Sequence, residues 1–124
     1  MKAGEQRQTG CLAINPLGKV PAILHRQSLV TEQVAIFLYR AVLFPESRLA
    51  PAIGDPKRGP YLRWMVYYAA CYESALVDRA LQRDPAPLAM SRYGDFDTML
   101  ETLVKQLASF PYLLGDTISA ADIL

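Results

Sequence analysis

The sequence predicts a small α/β part followed by an all-helical part. Three observations carry that prediction. Two strand-forming runs and one helical pattern fill residues 1–45, a proline-rich stretch follows over 46–59, and residues 60–124 hold helical patterns alone. With 124 residues, 52% hydrophobic and 20% charged, the chain has an ordinary globular composition and is long enough to bury a sizeable core.

The opening fifteen residues are polar, with Cys11, Leu12, Ala13 and Ile14 as their apolar cluster. They read as a loop leading into one short helical turn, which Asn15-Pro16 closes. Val20-Pro21-Ala22-Ile23-Leu24 and Ser28-Leu29-Val30, separated by His25-Arg26-Gln27, read as a β-hairpin with His25 exposed in its turn. Pro21 has no N–H to donate, so it belongs at a strand end, an edge or a special turn. Thr31 is the expected N-cap of a helix through Val34, Ala35, Leu38 and Val42. Phe44-Pro45 ends it, because the residue before a proline is pushed out of helical geometry.

Four prolines and two glycines between Pro45 and Pro60 mark a linker. From Pro60 to Arg83 the pattern is one long helix, apolar on more than one face and so buried on two sides, until Asp84-Pro85-Ala86-Pro87 stops it. A second helix carries Phe96, Leu100, Leu103, Leu107 and Phe110 as a single apolar stripe and ends at Pro111. Near the end, Ser119 as N-cap and Asp122 three residues later form a capping box, with Ile118 and Ile123 as its hydrophobic staple. The reading of Ser119 and Asp122 is structural. A helix nucleated there needs two or three turns, so the sequence reads as truncated at Leu124.

Composition excludes several classes. The net charge is +1 and the basic residues are scattered, which argues against a nucleic-acid partner or a basic membrane-surface helix. The most apolar run, Trp64 to Cys71, is far shorter than the roughly 20 residues of a membrane span. Met1 to Arg7 has no apolar core for a signal peptide, and the expected setting is cytoplasmic. Cys11 and Cys71 have one histidine in the whole chain to assist them, so no metal site is expected.

Three motifs in order, Asn15-Pro16-Leu17-Gly18-Lys19-Val20-Pro21-Ala22-Ile23-Leu24, Leu29-Val30-Thr31-Glu32-Gln33-Val34-Ala35-Ile36, and Gly115-Asp116 with Ser119-Ala120-Ala121-Asp122, resemble the glutathione S-transferase family. The similarity runs from about Lys2 to Leu124, and Tyr61-Leu62-Arg63-Trp64-Met65 resembles the start of the first long helix in bacterial members. It implies a partial thioredoxin-like, glutathione-binding domain over 1–45 and an all-helical domain over 60–124. It also implies a cis bond into Pro21, which turns the Val20 main chain outward to pair with the cysteinyl part of glutathione. Glu32 and Gln33 match the pair that holds the γ-glutamyl end, although serine is usual where Gln33 stands. The head of the following helix suits the ligand's α-carboxylate. The resemblance also implies that Lys19 reaches the glycyl carboxylate, with a solvated loop lysine as its other reading. Tyr67, Tyr68 and Cys71 are candidates for the electrophile pocket, with core or dimer packing as their other reading.

By the same resemblance the thiol-activating residue belongs to a segment before Met1. Neither Ser28 nor Cys11 matches it, so no catalytic residue is assigned and the chain alone is expected to be inactive. The implied function is a detoxifying transferase, using glutathione as co-substrate against a hydrophobic electrophile in conjugation, reduction or isomerisation. A homodimer is implied too, since the long helix carries more apolar surface than one core needs. Two rival readings are a non-catalytic binding or dimerisation module of the same fold and an inactive fragment.

Overall fold

The computed structural model describes residues 4–84 and 86–124. Met1, Lys2 and Ala3 of the opening loop and Pro85 of the expected helix stop lie outside them. The chain divides into two compact units, residues 4–43 and 44–124.

In the first unit a 3-10 turn at Glu5–Arg7 leads into α1 (Thr9–Ile14), then β1 (Ala22–His25), β2 (Ser28–Thr31) and α2 (Gln33–Leu43). The strands pair antiparallel, with Ala22 opposite Thr31 and His25 opposite Ser28. Their loop is therefore two residues long. Arg26 and Gln27 both take positive φ, 46° and 70°, the backbone hand whose twist suits a tight hairpin. His25 belongs to the strand and not to the turn: its Nδ1 lies 2.7 Å from the Tyr39 hydroxyl of α2, and the side chain is half-buried. Thr31 is not the helix cap either, because it is paired with Ala22 in the ladder. The first helical bond runs from the Ile36 N–H to the Glu32 carbonyl at 2.9 Å, so Glu32 stands at the head of α2.

The second unit opens with a 3-10 turn at Pro45–Ser47 and continues through turns to α3 (Arg58–Tyr67). A π-helical stretch, Tyr68–Tyr72, joins α3 to α4 (Glu73–Ala80) without a break in helical backbone. After a connecting loop come α5 (Phe96–Ser109), an isolated bridge between Tyr112 and Gly115, and a 3-10 turn at Ala120–Asp122. The proline-rich stretch is tied to this unit by two of its carbonyls. Leu49 accepts from the Ala120 N–H at 2.7 Å, and Pro51 accepts from Arg58 Nη1 at 2.7 Å.

Tyr61, Trp64 and Met65 of α3, Ala75 of α4, Met99 of α5 and Leu113 form the buried centre of this unit, with Ala120 and Ala121 beside the capping turn. α5 differs from its expected stripe. Met99 is buried, whereas Leu100, Leu107 and Phe110 are exposed in the chain. Phe96, Met99 and Leu103 make an equally regular stripe one residue round the helix, and the Met99 main-chain carbonyl accepts from the Tyr67 hydroxyl. Among the described residues no helix is long and apolar enough to cross a membrane.

Candidate functional site

The site begins with the loop between α1 and β1. Asn15, 5% exposed, accepts the Leu17 N–H on Oδ1 at 3.1 Å and donates from Nδ2 to the Lys19 carbonyl at 3.0 Å. Its own carbonyl accepts the Gly18 N–H at 2.8 Å. Gly18 has φ +60°, and a Cβ there would meet Leu12 Cδ2 at 3.1 Å and the Gln6 carbonyl at 3.3 Å, so the tight return depends on glycine. The bond from Val20 to Pro21 is cis, as the resemblance implies.

Register then gathers the predicted residues. Ala22 and Thr31 are the outermost pair of the ladder, so Pro21 and Glu32 are the next residues outward on their respective strands. Lys19, Val20 and Pro21 are exposed there, as is Glu32, while Gln33 is half-buried in the first turn of α2. Glu32 has φ +68°, an unusual conformation for a side-chain-bearing residue. One end of the hairpin thus offers an ammonium on Lys19, a carboxylate on Glu32 and the main chain of Val20 outside the ladder. The first N–H groups of α2 add donors that have no intrahelical partner.

The second unit contains a separate cavity of about 230 Å³, lined by Trp64, Tyr67, Tyr68, Tyr72, Leu103 and Leu107 among others. Tyr67 donates its hydroxyl to the Met99 carbonyl at 2.5 Å, and burial raises its phenol above the ordinary value. Burial likewise raises Tyr68, helped by the Glu73 carboxylate, and its ring stacks on Tyr72 with centroids 5.9 Å apart. Cys71 is not among the lining residues; its Sγ lies 3.5 Å from the Arg92 carbonyl. Tyr68 and Tyr72, at the two ends of the π-helical stretch, both reach the cavity. Sequence reading missed Trp64 and Tyr72 as lining residues. The signal available for them is spacing, since Trp64, Tyr68 and Tyr72 are aromatic residues four apart on a helical run. It also missed Asn15, whose neighbouring Pro16 marks a turn but not a buried carboxamide. Ser119 and Asp122 form the expected capping box, with Asp122 Oδ2 accepting the Ser119 N–H at 2.8 Å.

A two-stranded sheet with its helices, followed by a helical unit, is here the fold of glutathione S-transferases, a thioredoxin-like part preceding a helical one. The chain is similar to these proteins in both sequence and fold. It is 32% identical over 132 aligned residues to Glutathione S-transferase F10 of Arabidopsis thaliana, covering 97% of this chain and 60% of that protein. It superposes on BphK, a bacterial glutathione S-transferase solved as a ternary complex, with TM-score 0.72 and 29% identity, covering 90% of this chain and 56% of that one. A sphingomonad glutathione S-transferase complexed with glutathione gives TM-score 0.71 and 33% identity over the same shares. No family model matches the chain. The chain spans about three fifths of the length of the curated relatives it matches.

Proposed function

We propose that residues 4–43 bind glutathione and that the chain serves a glutathione S-transferase acting on a hydrophobic electrophile, by conjugation, reduction or isomerisation. The observation that carries this reading is the hairpin register: with Ala22 opposite Thr31, Pro21 and the exposed Val20 lie at the same end of the ladder as Glu32 and the head of α2. In this reading the Val20 N–H and C=O pair with the cysteinyl residue as an added strand would. Glu32 takes the γ-glutamyl ammonium, and the α2 N-terminus with Gln33 takes the α-carboxylate. Lys19 takes the glycyl carboxylate. Every charge of the tripeptide then has an opposite partner.

A free thiol has a pKa of about 8.5 and is mostly protonated at neutral pH, so transfer needs a donor that stabilises the thiolate. No residue of this chain is assigned that role. The aromatic cavity bearing Tyr67 and Tyr68 is the place proposed for the electrophile, and the working form is a cytoplasmic homodimer. Titration of the isotope-labelled chain with glutathione tests the binding step. The amides of residues 19–20 and 32–35 are expected to shift together, and a titration that leaves them unmoved overturns the reading. Because the chain alone is expected to be inactive, turnover of an aromatic halide by a form that also carries a thiol-activating residue then separates a transferase from a module that binds without catalysis.

A further inference from the structure

The buried carboxamide of Asn15 sits behind the proposed cradle, and its two hydrogen bonds are unequal in consequence. Oδ1 closes the turn on the Leu17 N–H, whereas Nδ2 holds the Lys19 carbonyl at 3.0 Å. That carbonyl belongs to the same peptide unit as the Val20 N–H. The unit is trans and planar, so its C=O and N–H point in opposite directions. With the carbonyl fastened inward to a residue 5% exposed, the N–H is turned outward, on a residue 57% exposed and outside the ladder. The positive φ of Gly18 brings the chain back within reach of Nδ2.

We propose that Asn15 is a positioning residue: by holding the Lys19 carbonyl it aims the Val20 N–H at the cysteinyl carbonyl of bound glutathione. The assignment rests on the cradle reading given above and extends it to a side chain that touches no ligand atom. Asn15 acts through one peptide plane. Its two polar ends are both satisfied by main chain, so the loop needs a donor and an acceptor together at this position.

The test is Asn15→Asp, which keeps the size and the acceptor for Leu17 but sets a carboxylate oxygen against the Lys19 carbonyl. Glutathione affinity is measured by calorimetry on the chain and its variant. A parallel titration uses an analogue whose cysteinyl–glycine amide is replaced by an alkene isostere, which has no carbonyl to accept the Val20 N–H. Loss of one well-placed hydrogen bond should weaken glutathione binding about tenfold. The analogue should bind the two proteins about equally. An equal loss for both ligands, or no loss for either, overturns the role of Asn15 while leaving the cradle standing. If the unsubstituted chain binds no glutathione, the cradle itself fails and the assignment goes with it. A measurement without substitution covers a variant that does not fold. In the original chain, exchange of the Val20 amide should slow when glutathione is added, while the Leu17 amide, already held by Asn15, is slow throughout; a Val20 amide indifferent to the ligand overturns the proposal.

Discussion

Glu32 combines a carboxylate at the proposed site with a backbone angle, φ +68°, that an L-residue adopts at a cost of about 1–2 kcal/mol. Such conformations persist where surrounding structure fixes them, and they concentrate at ligand sites. Glu32→Gly removes the steric cost and the carboxylate at once, while adding back about 0.5–1 kcal/mol of chain entropy. The variant is therefore expected to be slightly more stable, by up to about 1.5 kcal/mol, and weaker in glutathione binding. Urea denaturation and calorimetry on the same samples check both halves; a variant that is less stable, or one that binds as before, contradicts the account. At this scale the sequence was readable for residue type and silent on backbone. Glu32 stands out as an acid at the head of a helix, but nothing in Thr31-Glu32-Gln33 announces a positive φ. Arg26-Gln27 shows the same limit, since it makes a two-residue turn without the Asn or Gly that usually signals one.

Elements are held by side chains that reach across them, and two such clamps differ in how they respond to change. Asp122 accepts three hydrogen bonds, from the Leu113 N–H at 2.8 Å, the Ser119 N–H at 2.8 Å and the Ser119 hydroxyl at 2.9 Å. It joins the end of α5's loop to the capping turn, so its loss reaches beyond the local box. Ser119→Ala should cost about 0.5–2 kcal/mol, the range for a cap. Asp122→Ala should cost more, about 2–4 kcal/mol, because it strips a charged acceptor from partly buried donors. Thermal or urea unfolding that ranks the two the other way would show Leu113 to be irrelevant. The box itself was legible because Ser-x-x-Asp is a local signal; the bond to Leu113 was not, being set by how the loop folds back. The π-helical stretch was equally hidden, since Tyr68–Tyr72 contains no proline or glycine to mark it. The second clamp fastens the loop before α5 to α4. Asp78 accepts from the Tyr93 hydroxyl at 2.7 Å and from Arg83 Nη1 at 3.0 Å, and these partners hold its carboxyl below the ordinary range, Tyr93 first. A depressed folded pKa stabilises the fold above the unfolded value, about 3.9, and that contribution disappears as pH falls through the folded value. Tyr93→Phe should accordingly flatten the acid limb of a stability–pH curve while leaving the neutral plateau little changed in shape. An acid limb identical to that of the original chain would remove Asp78 from the account.

For the whole molecule the sequence predicted an apolar long helix with two buried sides, and the chain shows one of them. Tyr61, Trp64, Met65 and Ala75 fill the centre of the second unit, while Leu62, Val66, Leu76 and Val77 stay exposed on the same run of helix, Val66 at 59%. α5 repeats the pattern, with Met99 inward and Leu100 and Val104 outward. Periodicity showed that these segments are helices with apolar stripes; it does not say which of two adjacent stripes meets the unit's own core, because both have helical spacing. Apolar residues left outside in a row are what a partner surface requires, and a second copy of the chain is the occupant that the proposed homodimer supplies. Val66→Glu places a charge among these residues at a position that is 59% exposed. Sedimentation equilibrium should find the original chain associating at micromolar concentration and the variant shifted toward monomer by at least tenfold in dissociation constant, about the 1.4 kcal/mol that desolvating one misplaced charge readily exceeds. Its urea midpoint, extrapolated to low protein concentration, should match that of the original, since an exposed position on a helix tolerates glutamate. A variant that associates as strongly as the original would mean that the exposed face of α3 and α4 is not where two copies meet.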